Sequence, residues 1–390
     1  MAETYDVIVV GGGVTGASLA YHLARRGLGR ILILERETLC AGSTGVSVAS
    51  IDLLAHHATA AELQLRSLRA FQHSHELYGD ECGWVETGMA LLVAPAAADG
   101  LRAVAATVRA AGGRMDLLSP GEFQAVEPAC VADDAAVVSW APEGGYVDPV
   151  LLTNTLVNAA RRLGVPLRQG DPARTLEQAG GRVTGLRTGA GTLAAGAVVV
   201  ATGPWTTRFL RASGLEVPLR PNRHSVAVLA GPAAASPRIS FLDGLNLIYA
   251  RPESGGLLLC GSLDEAIGND WVEVEDGCPV PAQDYGYWVA ERMIARCPGL
   301  EQGELRKGWS GLVTMSPDLQ PLLGALPLAG LYCAAGFSGQ GMKIAPAVGE
   351  VMADLIAGDA AAAALLQPLR PARFAEGAPV PTAKLFGTLG

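Results

Sequence analysis

Tyr5-Asp6-Val7-Ile8-Val9-Val10-Gly11-Gly12-Gly13-Val14-Thr15-Gly16 is the stretch on which the reading of this chain turns. Its first six residues form a short β-branched run, the signature of a strand buried on both faces of a parallel sheet. A G-x-G-x-x-G pattern follows at Gly11, Gly13 and Gly16. Residues 17–26 then place Leu19, Ala20, Leu23 and Ala24 on one helical face, and Gly27 stops the helix. Ile31-Leu32-Ile33-Leu34 predicts a second buried strand, which ends on Glu35. Each part has a physical task. Gly11 allows the tight turn, Gly13 lets the backbone approach a pyrophosphate, and Gly16 lets helix pack on strand. The helix start at Val14 and Thr15 offers free N–H groups and a partial positive charge to that phosphate. Glu35 lies 19 residues beyond Gly16, the spacing of a carboxylate that accepts ribose hydroxyls, with Arg36 beside it. Strand, loop, helix, strand and acid in register predict a dinucleotide site.

The composition narrows what surrounds that site. The chain has 390 residues, of which 49% are apolar and 17% charged. That length predicts two to three domains at roughly 150 residues each, and that apolar content is incompatible with wholesale disorder. The net charge of −9 argues against nucleic acid as a partner. No apolar run approaches the ~18 residues of a membrane span. Seven cysteines without a C-x-x-C pair, and an acidic opening without a basic-then-apolar leader, place the expectation in the cytoplasm with reduced thiols. No constellation of metal ligands stands out, and the adjacent His56 and His57 are expected on a solvated helix surface.

The rest of the chain chooses between cofactors. Ala197-Val198-Val199-Val200 is another buried strand, running into Ala201-Thr202-Gly203-Pro204-Trp205 after small β pairs around residues 182–192. Gly330-Leu331-Tyr332-Cys333-Ala334-Ala335-Gly336 is a last strand, followed by Phe337-Ser338-Gly339-Gln340-Gly341 and a helix over 342–357. The nucleotide domain is therefore expected from both chain ends and the middle, which suits a flavoprotein better than a contiguous nicotinamide domain.

These stretches, with Ala41-Gly42-Ser43-Thr44-Gly45 and Thr314-Met315-Ser316-Pro317-Asp318, resemble the D-amino acid oxidase superfamily of FAD-dependent oxidoreductases. The similarity is to the branch of sarcosine oxidases, proline dehydrogenase flavin subunits and opine oxidases. The resemblance runs from residue 5 to about 357. It implies an α/β fold: a Rossmann-like, non-contiguous FAD-binding domain (1–85, 140–215 and 325–365), an inserted α+β substrate domain with a mixed sheet (86–139 and 216–324), and a loosely packed tail (366–390). It also implies FAD contacts from Ser43, Thr44, Gly203, Gly336, Gly339, Gln340, Gly341, Met342 and Lys343. In covalent flavin members a cysteine begins the segment corresponding to Gly311-Leu312-Val313; Gly311 there implies non-covalent FAD.

The implied reaction is oxidation of the C–N bond of an amine or amino acid by hydride transfer to flavin N5, giving an imine. Oxygen or another electron acceptor would complete the cycle. Two alternatives stay open: a flavin subunit within a hetero-oligomeric dehydrogenase, and an α-hydroxy acid oxidoreductase. Lys343, in a first helical turn where a cation opposes the helix dipole, is expected beside the flavin or on a substrate carboxylate. At the place of Val313 relatives carry a carboxylate-clamping arginine or a tyrosine, and at the places of Val46 and Asp52 several carry arginines toward the active-site mouth. Their loss argues against a bidentate carboxylate clamp. Asp52 would favour a cationic amine, or else cap the following helix. His224 follows Arg220-Pro221-Asn222-Arg223, a segment that the resemblance places entering the substrate sheet near the flavin. Tyr249 and Arg251 alternate on one strand face, Arg251 as a replacement carboxylate anchor or as a partner for Glu253 or Asp264.

Overall fold

In the computed structural model, which describes residues 3–381, the opening strand Glu3–Val10 lies in the middle of an eight-stranded sheet. It pairs in parallel with Ile31–Leu34 on one side and Thr192–Val200 on the other. Leu331–Ala335 and Leu167–Arg168 extend the parallel array at either end. The alternation of side chains along a strand sorts the core into two layers. Val7 and Val9 face a helical layer built from Val14–Arg25, Pro149–Arg162 and Gly341–Ile356. Ile8 and Val10 face the opposite layer, where the antiparallel pair Ala173–Ala179 and Arg182–Thr188 and the helix Thr206–Arg211 supply Leu176, Val183, Phe209 and Leu210. Gly16 is dictated by this packing. A Cβ there would stand 1.9 Å from the Gly11 carbonyl oxygen, so only glycine lets the first helix turn back onto its strand.

A second, nine-stranded sheet takes its strands from the intervening stretches of chain. All its pairings are antiparallel except Met89–Val93 with Ser240–Asp243, which makes it mixed, as expected. Its spine is the pair Arg220–Ala230 and Glu304–Met315, in which His224 sits opposite Gly311. A three-stranded ribbon of Ser50–Ile51, Gly145–Tyr146 and Val85–Glu86 lies apart from both large sheets.

The carboxy-terminal stretch departs from expectation over its described part, residues 366–381. Arg373 is fully buried. Its guanidinium donates to both carboxylate oxygens of Asp318, at 2.8 and 2.9 Å, and to the carbonyls of Leu369, Gln320 and Pro321. The Val380 N–H reaches Asp318 as well, at 2.9 Å. A planar five-donor cation that meets this many acceptors is an internal strut rather than a trailing end. Residues 382–390 of the expected tail lie outside the described residues.

Candidate active site

The carboxyl ends of the parallel strands and one face of the mixed sheet enclose a cavity of about 720 Å³. Open α/β sheets bind ligands outside those strand ends. The wall carries Val10 to Thr15, Leu34 to Arg36, Ala41 to Thr44, Ala201 to Trp205 and Phe337 to Lys343 from the parallel-sheet side. From the mixed-sheet side come Met89, His224, Val226, Leu242, Tyr249, Leu263 and Gly311 to Thr314.

The end at the glycine loop is shaped by backbone. The helix Val14–Arg25 starts at Gly13 with no side-chain cap, so its first turn opens toward the cavity. The Val14 N–H is held by Thr44 Oγ1 at 3.1 Å, and a Cβ on Gly13 would lie 3.0 Å from that same oxygen. Any side chain at residue 13 therefore enters the cradle. Glu35 Oε2 accepts the Gly12 N–H at 2.6 Å and Oε1 accepts the Glu37 N–H at 2.8 Å. Each carboxylate oxygen keeps a further lone pair for a ribose hydroxyl. Arg36 lies over the Trp205 ring at 3.8 Å and pairs with Glu37. A glycine cradle, a helix start whose N-cap is a glycine, and an available carboxylate fit an FAD pyrophosphate and ribose.

The opposite end is shaped by side chains. The segment 43–52 is stitched across the mixed sheet: Ser43 Oγ donates to the Leu312 carbonyl at 2.5 Å, Trp309 Nε1 to Val46 at 2.9 Å, and Arg251 Nε to Val48 at 2.5 Å. This strap delivers Asp52 to Lys343, whose Nζ donates to Oδ1 at 2.8 Å and Oδ2 at 2.7 Å. Lys343 lies in the first turn of Gly341–Ile356, where the helix dipole opposes a cation, and the Asp52 carboxylate supplies the missing anion. His224 Nε2 is buried with no hydrogen-bond partner among the described residues, and burial pushes this imidazole down to about 4, so it is neutral at pH 7. Burial likewise raises the Tyr249 phenol well above its ordinary value. At Gly311 a Cβ would meet Val46 Cγ2 at 2.5 Å, so the strap occupies the space a side chain there would need.

The loop that presents Gly339, Gln340, Gly341 and Met342 to the cavity is braced from behind. Ser338 adopts φ +50° and Leu319 φ +59°, left-handed conformations that side chains seldom take. Ser338 Oγ accepts the Ser316 N–H at 3.0 Å, and Gln340 Nε2 donates to the Leu319 carbonyl at 3.1 Å. Asp318, gripped by Arg373, anchors the same turn.

Several expectations are corrected by this geometry. Arg251 is buried and absent from the cavity wall; it bonds Val48, Pro252 and Glu253 and lies over Tyr146, so it is the Glu253 partner and no carboxylate anchor. Asp52 does not cap the helix Ala58–Gln72. That cap is His57, whose Nδ1 accepts the Ala60 N–H at 3.2 Å while Nε2 meets Gln320. His57 and its neighbour His56 are therefore not a solvated helix surface; burial holds His56 down to about 4. Gly16 and Gly336 do not reach the cavity and serve packing, Gly336 at φ +72° against Leu219. Gly11, Gly13, Val14, Thr15, Glu35, Arg36, Ser43, Thr44, Gly203, Gly339, Gln340, Gly341, Met342, Lys343, Asp52, His224 and Tyr249 do line it. Sequence reasoning missed Met89, Leu242 and Leu263, which carry no motif, and Arg373. Two arginines, Arg370 and Arg373, in an Ala- and Pro-rich stretch were the signal for the last.

Comparison with known proteins agrees with this construction. The family model for FAD dependent oxidoreductases (DAO) matches residues 6–355. Human mitochondrial sarcosine dehydrogenase is 27% identical over 91% of the chain, which spans only 40% of that relative's length. Glycine oxidase of Geobacillus kaustophilus (strain HTA426) is 29% identical, with 91% of this chain and 94% of the relative covered. Among solved structures, the glycine oxidase of Geobacillus kaustophilus superposes with a TM-score of 0.80 at 27% identity, covering 91% of this chain and 95% of that one. The L-proline dehydrogenase of P. horikoshii shares the fold at a TM-score of 0.89 and 23% identity, covering 97% and 100%. No helix among the described residues is long and apolar enough to cross a membrane. With a family match over most of its length and a cavity whose glycine-lined end fits the cofactor, the chain belongs to the DAO family of FAD-dependent oxidoreductases.

Proposed function

We propose that this protein oxidises the C–N bond of an amine or amino acid, with FAD held non-covalently in the cavity. Sarcosine dehydrogenase and glycine oxidase are named for such substrates. The observation that carries the reading is one continuous cavity, with a glycine cradle at one end and the half-buried His224 and Tyr249 among apolar strand residues at the other. FAD, when bound, supplies a two-electron acceptor for the hydride that leaves the carbon beside nitrogen.

This chain's residues then have distinct tasks. Gly11, Gly13 and the first turn at Val14 and Thr15 hold the pyrophosphate, and Glu35 holds the ribose. Ser43, Thr44, Gly203 and the braced loop Gly339 to Met342 orient the cofactor. His224, neutral at working pH, presents an uncharged ring to the substrate from the cavity wall. Such a weak base orders an already neutral amine rather than abstracting a proton. Tyr249 stays protonated and able to donate. Met89, Val226, Leu242 and Leu263 exclude water. The parallel sheet is assigned to the nucleotide and the mixed sheet to the substrate.

The test is anaerobic mixing of the FAD-loaded protein with amines, amino acids and α-hydroxy acids while the flavin absorbance is followed. Bleaching by nitrogen compounds alone is the expected result. Bleaching by α-hydroxy acids alone, or by nothing in the panel, overturns the reading. Turnover in air with stoichiometric peroxide assigns dioxygen as the reoxidant; turnover only with an artificial acceptor assigns that role to a partner subunit.

A further inference from the structure

The charged groups on the cavity wall fall into two sets. Glu35, Arg36, Arg174 and Arg208 belong to the glycine-loop end: the first two follow the strand Ile31–Leu34, Arg174 lies on Ala173–Ala179, and the helix carrying Arg208 packs on that strand. Lys343 and Asp52 make up the other set, and they are bonded to each other. The ammonium reaches both carboxylate oxygens, at 2.7 and 2.8 Å, and each side chain is only 10% exposed. The Leu54 N–H takes a further bond to Oδ1 at 3.0 Å. The rest of the wall at this end is uncharged: apolar side chains, Tyr249 and Thr314, and the neutral His224.

A carboxylate entering here gives up its water and meets no cation that lacks a counter-charge, and a buried anion without a partner is unfavourable. An uncharged amine meets apolar side chains and neutral polar ones, Tyr249 and His224 among them, and leaves no charge without a partner. Building on the C–N reading above, we infer that Asp52 neutralises Lys343 as a carboxylate anchor and that the substrate is an amine with apolar substituents and no carboxylate. Asp52 is thus a specificity-determining residue, and it acts by silencing its neighbour. Specificity built by withholding an attractive group is as effective as adding a repulsive one.

Unreactive probes separate this inference from the catalytic reading, because they need no turnover. FAD-loaded wild type and Asp52→Asn are titrated with 2-furoate and with 2-furamide, a pair matched in shape and differing in charge, and the perturbation of the flavin spectrum gives each affinity. In the wild type the amide binds about tenfold tighter than the carboxylate. In Asp52→Asn, which keeps the side-chain volume and frees the ammonium, furoate affinity rises about tenfold or more, the worth of a hydrogen bond to a charged group. Furoate binding the wild type as tightly as the amide, or gaining nothing in Asp52→Asn, overturns the inference. Should the variant fail to fold, the wild-type pair alone decides. An absence of amine-driven bleaching with this pattern intact would instead fault the reaction and leave the charge assignment standing.

Discussion

The two ends of the cavity are built on opposite principles. At the glycine-loop end the floor is backbone: Gly11 to Thr15 at a helix start and Gly203 in a turn, with Glu35, already holding two N–H groups, and Arg36, Arg174 and Arg208 around it. At the substrate end it is side chain: a buried ion pair, a neutral imidazole and apolar strand residues brought together from positions 52, 89, 224, 242, 263 and 343. Backbone contacts bind what is common to a family, because N–H groups do not change with sequence. Side-chain contacts bind what differs, and each can be altered by one substitution. Two of the buried ion pairs show the same division. Asp318–Arg373 has no exposure on the arginine side and many further bonds, and it holds a loop in place. Asp52–Lys343 faces the cavity and sets its charge.

The largest contrast is expected on breaking those pairs by the same change. Arg373→Met strands Asp318 in the core and costs about 3–5 kcal/mol, the usual consequence of an orphaned buried charge. Lys343→Met leaves Asp52 beside a cavity that water can enter and costs less, about 1–3 kcal/mol. Denaturant unfolding of the two variants measures both, and equal losses would erase the distinction between strut and site.

A pH-dependent effect follows from three histidines that burial keeps neutral. His22 is held down to about 3, and His56 and His224 to about 4, with burial the leading cause in each. A histidine kept neutral by the fold takes up its proton only on unfolding. Stability is therefore complete above the ordinary 6.5 and falls as pH drops toward the folded-state values, by up to about 1.4 kcal/mol per pH unit for each group. His22→Phe, beside the rings of Tyr21 and Tyr78, should shallow this slope between pH 6.5 and 4 by one proton's share. Melting curves across that range check it, and an unchanged slope would remove His22 from the account.

How much of this was legible in the sequence follows the same line. The cradle was readable because its parts are close in sequence and each glycine answers a steric demand. The parallel strands were readable as apolar runs, and the split of the nucleotide sheet over the chain was visible in where those runs fell. The substrate end was less legible because its logic is pairwise and distant. Asp52 and Lys343 were each singled out, yet with separate ligands in view; nothing at 291 residues' separation says that they bond each other. Arg251 looked like an anchor because alternation puts it on the Tyr249 face, but alternation cannot say that the strap at Val48 would claim its guanidinium. Arg373 was invisible for a related reason: composition marked its surroundings as loose, and the acceptors that fix it come from residues 318 to 321 as well as its own turn.

The division of labour itself is tested most directly by FAD affinity, measured by flavin fluorescence on the apoprotein of Gly13→Val and Asp52→Asn side by side. A valine side chain enters the cradle at Thr44, and binding should weaken about 100-fold. Asp52→Asn should stay close to wild type, because its charge serves the other end. Wild-type affinity in Gly13→Val, or an equal loss in both variants, would contradict a cavity whose cofactor end is made of backbone and whose substrate end is made of side chains.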